Sequence, residues 1–268
     1  MDALESIRPT SARRWRTPPL LPRLLGVALV VAAWQTLSST GVIDAQELAS
    51  PGTAVATGLA LVRSGVLPQA AWISLLRVLA GMAIGSLAGG GLGLLCGLSR
   101  AGEELLDAPL QMLRTLPFAG LVPLFIIWFG IGEMPKVALI AFAVAFPIYL
   151  NVYAGIRSAE AGLVEAARTL GITGSGLVRH VLLPSALPQA LVGLRYSLGV
   201  AWLALVFAEQ INASTGIGHL MTDARELLQT DVIVVCLCAY ALLGLLSDLT
   251  VRALERSLLT WRPAYTGA

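Results

Sequence analysis

Six runs of apolar residues recur along this 268-residue chain, at about 22–38, 76–98, 116–132, 136–156, 188–209 and 232–251. A helix needs about 20 such residues to cross roughly 30 Å of hydrocarbon, and each run meets or approaches that length. Lipid offers no partner to an open backbone N–H or C=O, so each run is expected to be helical. Composition argues against burying the runs inside a soluble domain. Charged residues make up only 13% of the chain and hydrophobic ones 56%, whereas a soluble domain carries about 25% charged residues. A transmembrane β-barrel would alternate polar and apolar residues, and these runs do not. The net charge of +2 provides no basic field for nucleic acid. The expectation is an all-α membrane protein with six transmembrane helices and lipid as its solvent. Cys96, Cys236 and Cys238 fall inside apolar runs, so no disulfide framework is expected.

Arginine and lysine set the expected orientation. With the amino terminus in the cytoplasm, the tail contributes Arg8, Arg13, Arg14, Arg16 and Arg23, and the inner loops add Arg100, Arg114, Arg157, Arg168 and Arg179. Arg252, Arg256 and Arg262 follow the last run, against Arg63, Arg77, Lys136 and Arg225 outside. Both termini are therefore expected in the cytoplasm of a multi-pass protein of the cell's inner (plasma) membrane. No small-residue cleavage site closes the first run, which reads as a retained helix. This divides the chain into a cytoplasmic tail at 1–21, a six-helix membrane domain at 22–251 and a second cytoplasmic tail at 252–268.

Two local patterns are structural. Gly81, Gly85, Gly89, Gly93 and Gly97 recur at every fourth position, which lines one helix face with glycine and suits close helix packing. No G-x-x-x-x-G-K-[ST] occurs, so the glycines do not read as a nucleotide loop. In the segment from Ser39 to Ser74, Ser50 is placed to cap a helix with Pro51 at its first position. Val55, Leu59 and Val62 would form its apolar stripe and Gly65 its end, as for a short helix on the outer membrane surface.

The loop at 157–187 is the most informative stretch. Glu160 to Leu170 has a helical composition, and Gly171 stands where a left-handed cap belongs. Ser175 is expected to cap a second helix to Leu183, Pro184 to stop it, and Ser185 with Pro188 to begin the next span. Two short helices about a glycine make a compact cytoplasmic knob. Ala166 and Ala167 allow close approach, and Glu165, Arg168 and Arg179 supply charge.

The spacing of this knob matches a family pattern: Glu165-Ala166-Ala167, three residues, Gly171, nine residues, then Val181-Leu182-Leu183-Pro184. It resembles the EAA loop of the inner-membrane permeases of binding-protein-dependent ABC importers, with Val181 where isoleucine is more usual. From about Val27 to Tyr265 the chain is most similar to the aliphatic sulfonate permeases, within a group that includes taurine and nitrate/bicarbonate permeases. QMLRTLP (111–117), LVPLFIIWFGIGE (121–133), FPIYLN (146–151), ELLQTDV (226–232) and WRPAY (261–265) carry the likeness.

The resemblance implies a type I ABC importer permease fold and a transport role without catalysis by this chain. It implies a homodimer with a second copy of the permease, two ATPase subunits and an external substrate-binding protein. It further implies that Glu165, Ala166, Ala167, Gly171, Val181, Leu183 and Pro184 couple to the ATPase as a coupling helix and its surroundings. The chain binds no cofactor in this reading; ATP and Mg are used by the partner ATPase, consistent with a sequence that lacks a Walker motif.

Polar residues in spans cost free energy and tend to face a pathway or a partner. Asn151, Arg195, Glu209, Gln210, Asp223 and Arg225 are the pathway or docking candidates. Asn151 and Tyr149 are expected to bond to neighbouring helices, Arg195 to snorkel to the inner interface, and Asp248 to be solvated. Gly216 and Gly218 permit a sharp turn in the outer loop, where Asp223, Arg225 and Glu226 are exposed or meet a docked protein. The spans hold few cations for a sulfonate, which places specificity mainly in the external binding protein. Taurine, nitrate, bicarbonate or a vitamin precursor are the alternative cargoes. An ion-coupled secondary transporter would show repeated halves with charged, broken helices, and no internal repeat is evident. With only His180 and His219, no H-E-x-x-H and no G-x-S-x-G, an intramembrane enzyme finds no support.

Overall fold

The computed structural model describes residues 20–44 and 46–259, leaving the greater part of both expected tails, and WRPAY, outside the described residues. Helix α1 (Leu20–Ser39) precedes α2 (Pro51–Arg63). The Ser50 Oγ accepts from the Thr53 N–H at 3.1 Å, as its capping position demands. Gly65, at φ +79°, ends α2 as expected. Val55, Leu59 and Val62 are exposed, while the opposite face of α2, with Gly58 against Val235, packs on the last helix.

Helix α3 (Val66–Leu98) runs for 33 residues, about 50 Å at 1.5 Å per residue. It packs along α6 (Met134–Arg157), which packs in turn along α9 (Leu183–Asn212). Val78, Ile140, Val144, Ala201 and Leu205 fill the seam between these three helices. All five glycines of the every-fourth-residue pattern are buried against α6, which lets the two backbones approach. A Cβ on Gly85 would lie 2.5 Å from the Ala141 carbonyl oxygen. Helix α11 (Thr230–Leu258) packs beside α9 and reaches α2 and α10 (Ile217–Glu226).

The third expected span, 116–132, is not one helix. Helix α4 (Arg100–Arg114) occupies the expected inner loop, capped by Ser99. A 3-10 turn at Phe118–Leu121 and the short α5 (Val122–Phe129) follow at 89° to it. Pro117 keeps Leu116 out of helical conformation, and Gly130, at φ +77°, ends α5. The two pieces rise only about 20 Å, short of a bilayer. Hydropathy alone missed this break. Four helices among the described residues are long and apolar enough to cross a membrane, and the bent α4–α5 pair is a fifth candidate.

A second difference lies at Pro184. Helix α7 (Ala161–Thr169) and the four-residue α8 (Gly174–Leu177) form the expected knob, but Ser175 caps nothing. Thr173 precedes α8 without a side-chain cap, and Gly174 takes a left-handed φ of +56°. Nor does Pro184 stop the helix. A π turn at Val178–Leu182 joins α8 to α9, and Pro184 sits in the first turn of α9, where its missing N–H costs little. From Gly174 to Ile211 the chain is one helical path of 38 residues.

Candidate functional site

The knob is built from local rules. At the end of α7 the Gly171 N–H donates to the Arg168 carbonyl at 3.0 Å, and the Ile172 N–H to the Ala167 carbonyl at 2.9 Å. This pair of bonds is a Schellman closure, and it requires the left-handed φ of +80° that Gly171 adopts. Ala167 is buried against the rest of the knob. Glu165, Ala166 and Arg168 are exposed, as is Leu163, and Leu170 stands 78% exposed at the tip. Val181 is half-buried at the base, with Leu183 and Pro184 exposed beside it. An apolar tip ringed by charge, on a rigid turn, is a surface suited to a groove in another protein.

Near the middle of α9, Arg195 does not snorkel. It forms ion pairs with Asp248 at 3.3 Å and Glu255 at 2.6 Å, both on α11. Asp248, expected to be solvated, also pairs with Arg252 at 2.6 Å. A carboxylate within reach outcompetes extension of the side chain toward water. Asn151 accepts from the Gln189 amide on α9 at 2.9 Å and donates to the Pro147 carbonyl at 2.8 Å, and the Tyr149 hydroxyl donates to Asp107 of α4 at 2.7 Å. Both join neighbouring helices as expected.

The other end of the bundle holds a buried ion network. Arg77 of α3 is 3% exposed and Glu209 of α9 only 1%. The Arg77 Nη1 lies 2.5 Å from Glu209 Oε1, and its Nε and Nη2 grip both oxygens of Glu133 at 2.5 and 2.7 Å. Its remaining protons reach the Thr215 carbonyl and hydroxyl at 2.7 and 2.9 Å. Glu209 also accepts from Ser74 at 2.7 Å, the Gly218 N–H at 2.8 Å and Tyr240 at 3.2 Å. Every lone pair and proton of a costly buried charge pair is thus occupied. The hydrogen bond from Arg77, with Lys136 beside it, holds the Glu133 carboxyl down to about 2. Gly216, at φ +110°, leaves room for this cluster, since a Cβ there would lie 2.6 Å from Arg77 Nη1.

The pathway candidates therefore do not converge on one site. Glu209 is a structural acceptor, Asp223 and Arg225 lie on the exposed side of α10, with Asp223 3.4 Å from His219, and Gln210 is half-buried. Arg77 and Glu133, central to the network, are absent from the sequence-based candidates. Their signal was a charge of each sign beside apolar runs. Arg77 sits inside a helix that begins at Val66, ten residues before the expected span at 76–98.

Residues 89–260 match the family described as binding-protein-dependent transport system inner membrane component. A permease protein SsuC of Escherichia coli (strain K12), named for aliphatic sulfonates transport, is 50% identical over 88% of this chain and 90% of its own length. Its namesake from Bacillus subtilis (strain 168) is 41% identical over 98% of this chain and 95% of its own. Among solved structures, a chain of the MetNI methionine ABC transporter in an inward-facing conformation superposes with a TM-score of 0.65 at 20% identity. It covers 73% of this chain and 97% of that one, and this likeness shows the fold.

Proposed function

We propose that this chain, which belongs to the family of binding-protein-dependent transport system inner membrane components, forms the membrane path of an ATP-driven importer of aliphatic sulfonates. The observation that carries the cargo is the 50% identity to a permease named for that transport, over nearly the whole of both chains. Two copies would form the path, with both termini and the knob in the cytoplasm. ATPase subunits would hold the knobs, and an external binding protein would deliver cargo at the end bearing α2 and α10.

The geometry supports a route for the coupling. Helix α7 exposes Leu163 and Ala166 on one face and Glu165 on another, with Leu170 exposed just past its end, so a groove on the ATPase would receive the tip of the knob. The knob continues through the π turn into α9 without a loop, so displacement of the knob moves a membrane-spanning helix directly. At its far end α9 carries Glu209, which ties it to Arg77 of α3 and to the start of α10. Tilting α9 therefore engages both ends of the bundle, as alternating access requires.

Gly171→Asp tests the coupling assignment. A Cβ in the left-handed conformation costs about 1–2 kcal/mol, and an aspartate adds a negative charge beside the unpaired carbonyls at the end of α7. Sulfonate uptake and ATPase co-purification are expected to fall together by about tenfold or more, that cost being worth a factor of ten, while the amount of inserted permease stays at the parent level. Gly171→Asn, which tolerates the same conformation, should be milder. A Gly171→Asp permease that keeps its ATPase and transports at the parent rate would overturn the assignment.

A further inference from the structure

Where α4 ends and the broken span turns, a cavity of about 450 Å³ opens among α4, α6 and α9, within the range of small-ligand sites. Phe118, Phe142, Phe146 and Leu150 supply an apolar wall. Phe142 and Phe146 meet edge to face at 5.0 Å, which makes that wall stiff. Arg114 is the one charged residue among those lining the cavity. It is the last residue of α4, so it must offset the partial negative charge of the helix end as well as hold any anion there.

Among the described residues Arg114 makes no ion pair or hydrogen bond. The arginines of α3, α6 and α9, by contrast, are matched by carboxylates: Arg77, Arg157 and Arg195. Tyr196 also lines the cavity, 66% exposed, and its hydroxyl makes no hydrogen bond among the described residues. Phe142 to Leu150 lie near the middle of α6, and Tyr196 near the middle of α9.

We propose that this cavity is a weak alkanesulfonate site within the transport path, Arg114 taking the sulfonate and the Phe142–Phe146 wall the alkyl chain. The inference rests on the importer reading above and adds residues to it. A sulfonate is a permanent anion with three acceptor oxygens, and a guanidinium offers paired donors to two of them. The tail of an alkanesulfonate needs an apolar wall, which an inorganic anion does not. One cation beside a half-open cavity binds weakly, and a site along a path has to release what it binds. The sequence-based expectation that specificity lies mainly outside the permease thus gains one internal exception.

The test uses the permease with its ATPase and binding protein in proteoliposomes, importing labelled ethane-, butane- and octanesulfonate. Arg114→Gln should lower import of all three about tenfold, the scale of one charge-assisted hydrogen bond, with the ATPase still co-purifying. Arg114→Lys should fall between the two, since it keeps the charge and loses the paired donors. Phe146→Ala should reduce octanesulfonate import several-fold relative to ethanesulfonate. If the parent complex imports all three and Arg114→Gln matches it, the cavity assignment is overturned while the importer reading stands. A parent complex that imports none overturns the importer reading, and this inference with it.

Discussion

Replacing Arg77 with methionine is expected to destabilise the protein by about 3–5 kcal/mol, the usual cost of breaking a buried ion pair from one side. Glu209 would keep its bonds to Ser74, Gly218 and Tyr240, but none of those donors carries a positive charge. Glu133 would retain Lys136, 3.0 Å away, so the loss centres on Glu209. Melting of the detergent-purified permease should fall by roughly 10 °C. Arg77→Met combined with Glu209→Gln should recover part of that, because a neutral amide needs no counter-charge. If Arg77→Met melted with the parent, the network would be incidental to the fold. The route from α9 to α3 and α10 would then lose its anchor.

Gly85→Val is expected to be the next most severe, for a different reason. Its Cβ would lie 2.5 Å from the Ala141 carbonyl oxygen and 2.9 Å from the Val144 Cβ. Part of that obstacle is backbone, so α3 and α6 must separate. Overpacking a tight seam costs about 1–3 kcal/mol, and here the separation also loosens Val78, Ile140 and Val144 in the principal core. Gly91 is the control in the same helix, since a Cβ there meets nothing within 4 Å. Gly91→Ala should be neutral or stabilise by about 0.5–1 kcal/mol through helix propensity. The yield of monodisperse protein and its melting temperature check both variants. Equal behaviour of Gly85→Val and Gly91→Ala would mean the glycine seam is not a close-packed interface.

The contrast between these two networks explains what could be read in advance. The seam is written at a four-residue period along one helix, and the knob lies within one continuous stretch, Ala161 to Leu177. Gly171 took the conformation that its spacing demanded. Features set by distant partners were not legible. Arg77 meets Glu133 and Glu209 from 56 and 132 residues away, and Arg195 meets Glu255 from 60. No local rule names such partners, so Arg77 read as a loop charge and Arg195 as a snorkelling one.

Two misreadings had local signals that hydropathy outweighed. Pro117, Gly120 and Pro123 punctuate the apolar run at 116–132, yet its mean apolarity suggested a continuous span. Arg100–Arg114 is an amphipathic helix whose Glu103, Asp107 and Arg114 made it resemble a loop. At Pro184 the error was one of geometry. A single π turn moves proline from the interior of a helix to its first turn, and no residue between Val178 and Leu182 announces it.

The most direct test of the central claim is uptake of a labelled short alkanesulfonate by cells with and without this chain, its ATPase and binding protein being present throughout. Taurine and nitrate serve as competitors. The account predicts uptake that requires both this chain and ATP and that persists in excess taurine or nitrate. Uptake that is the same without the chain, or that runs on an ion gradient after ATP is depleted, would contradict it.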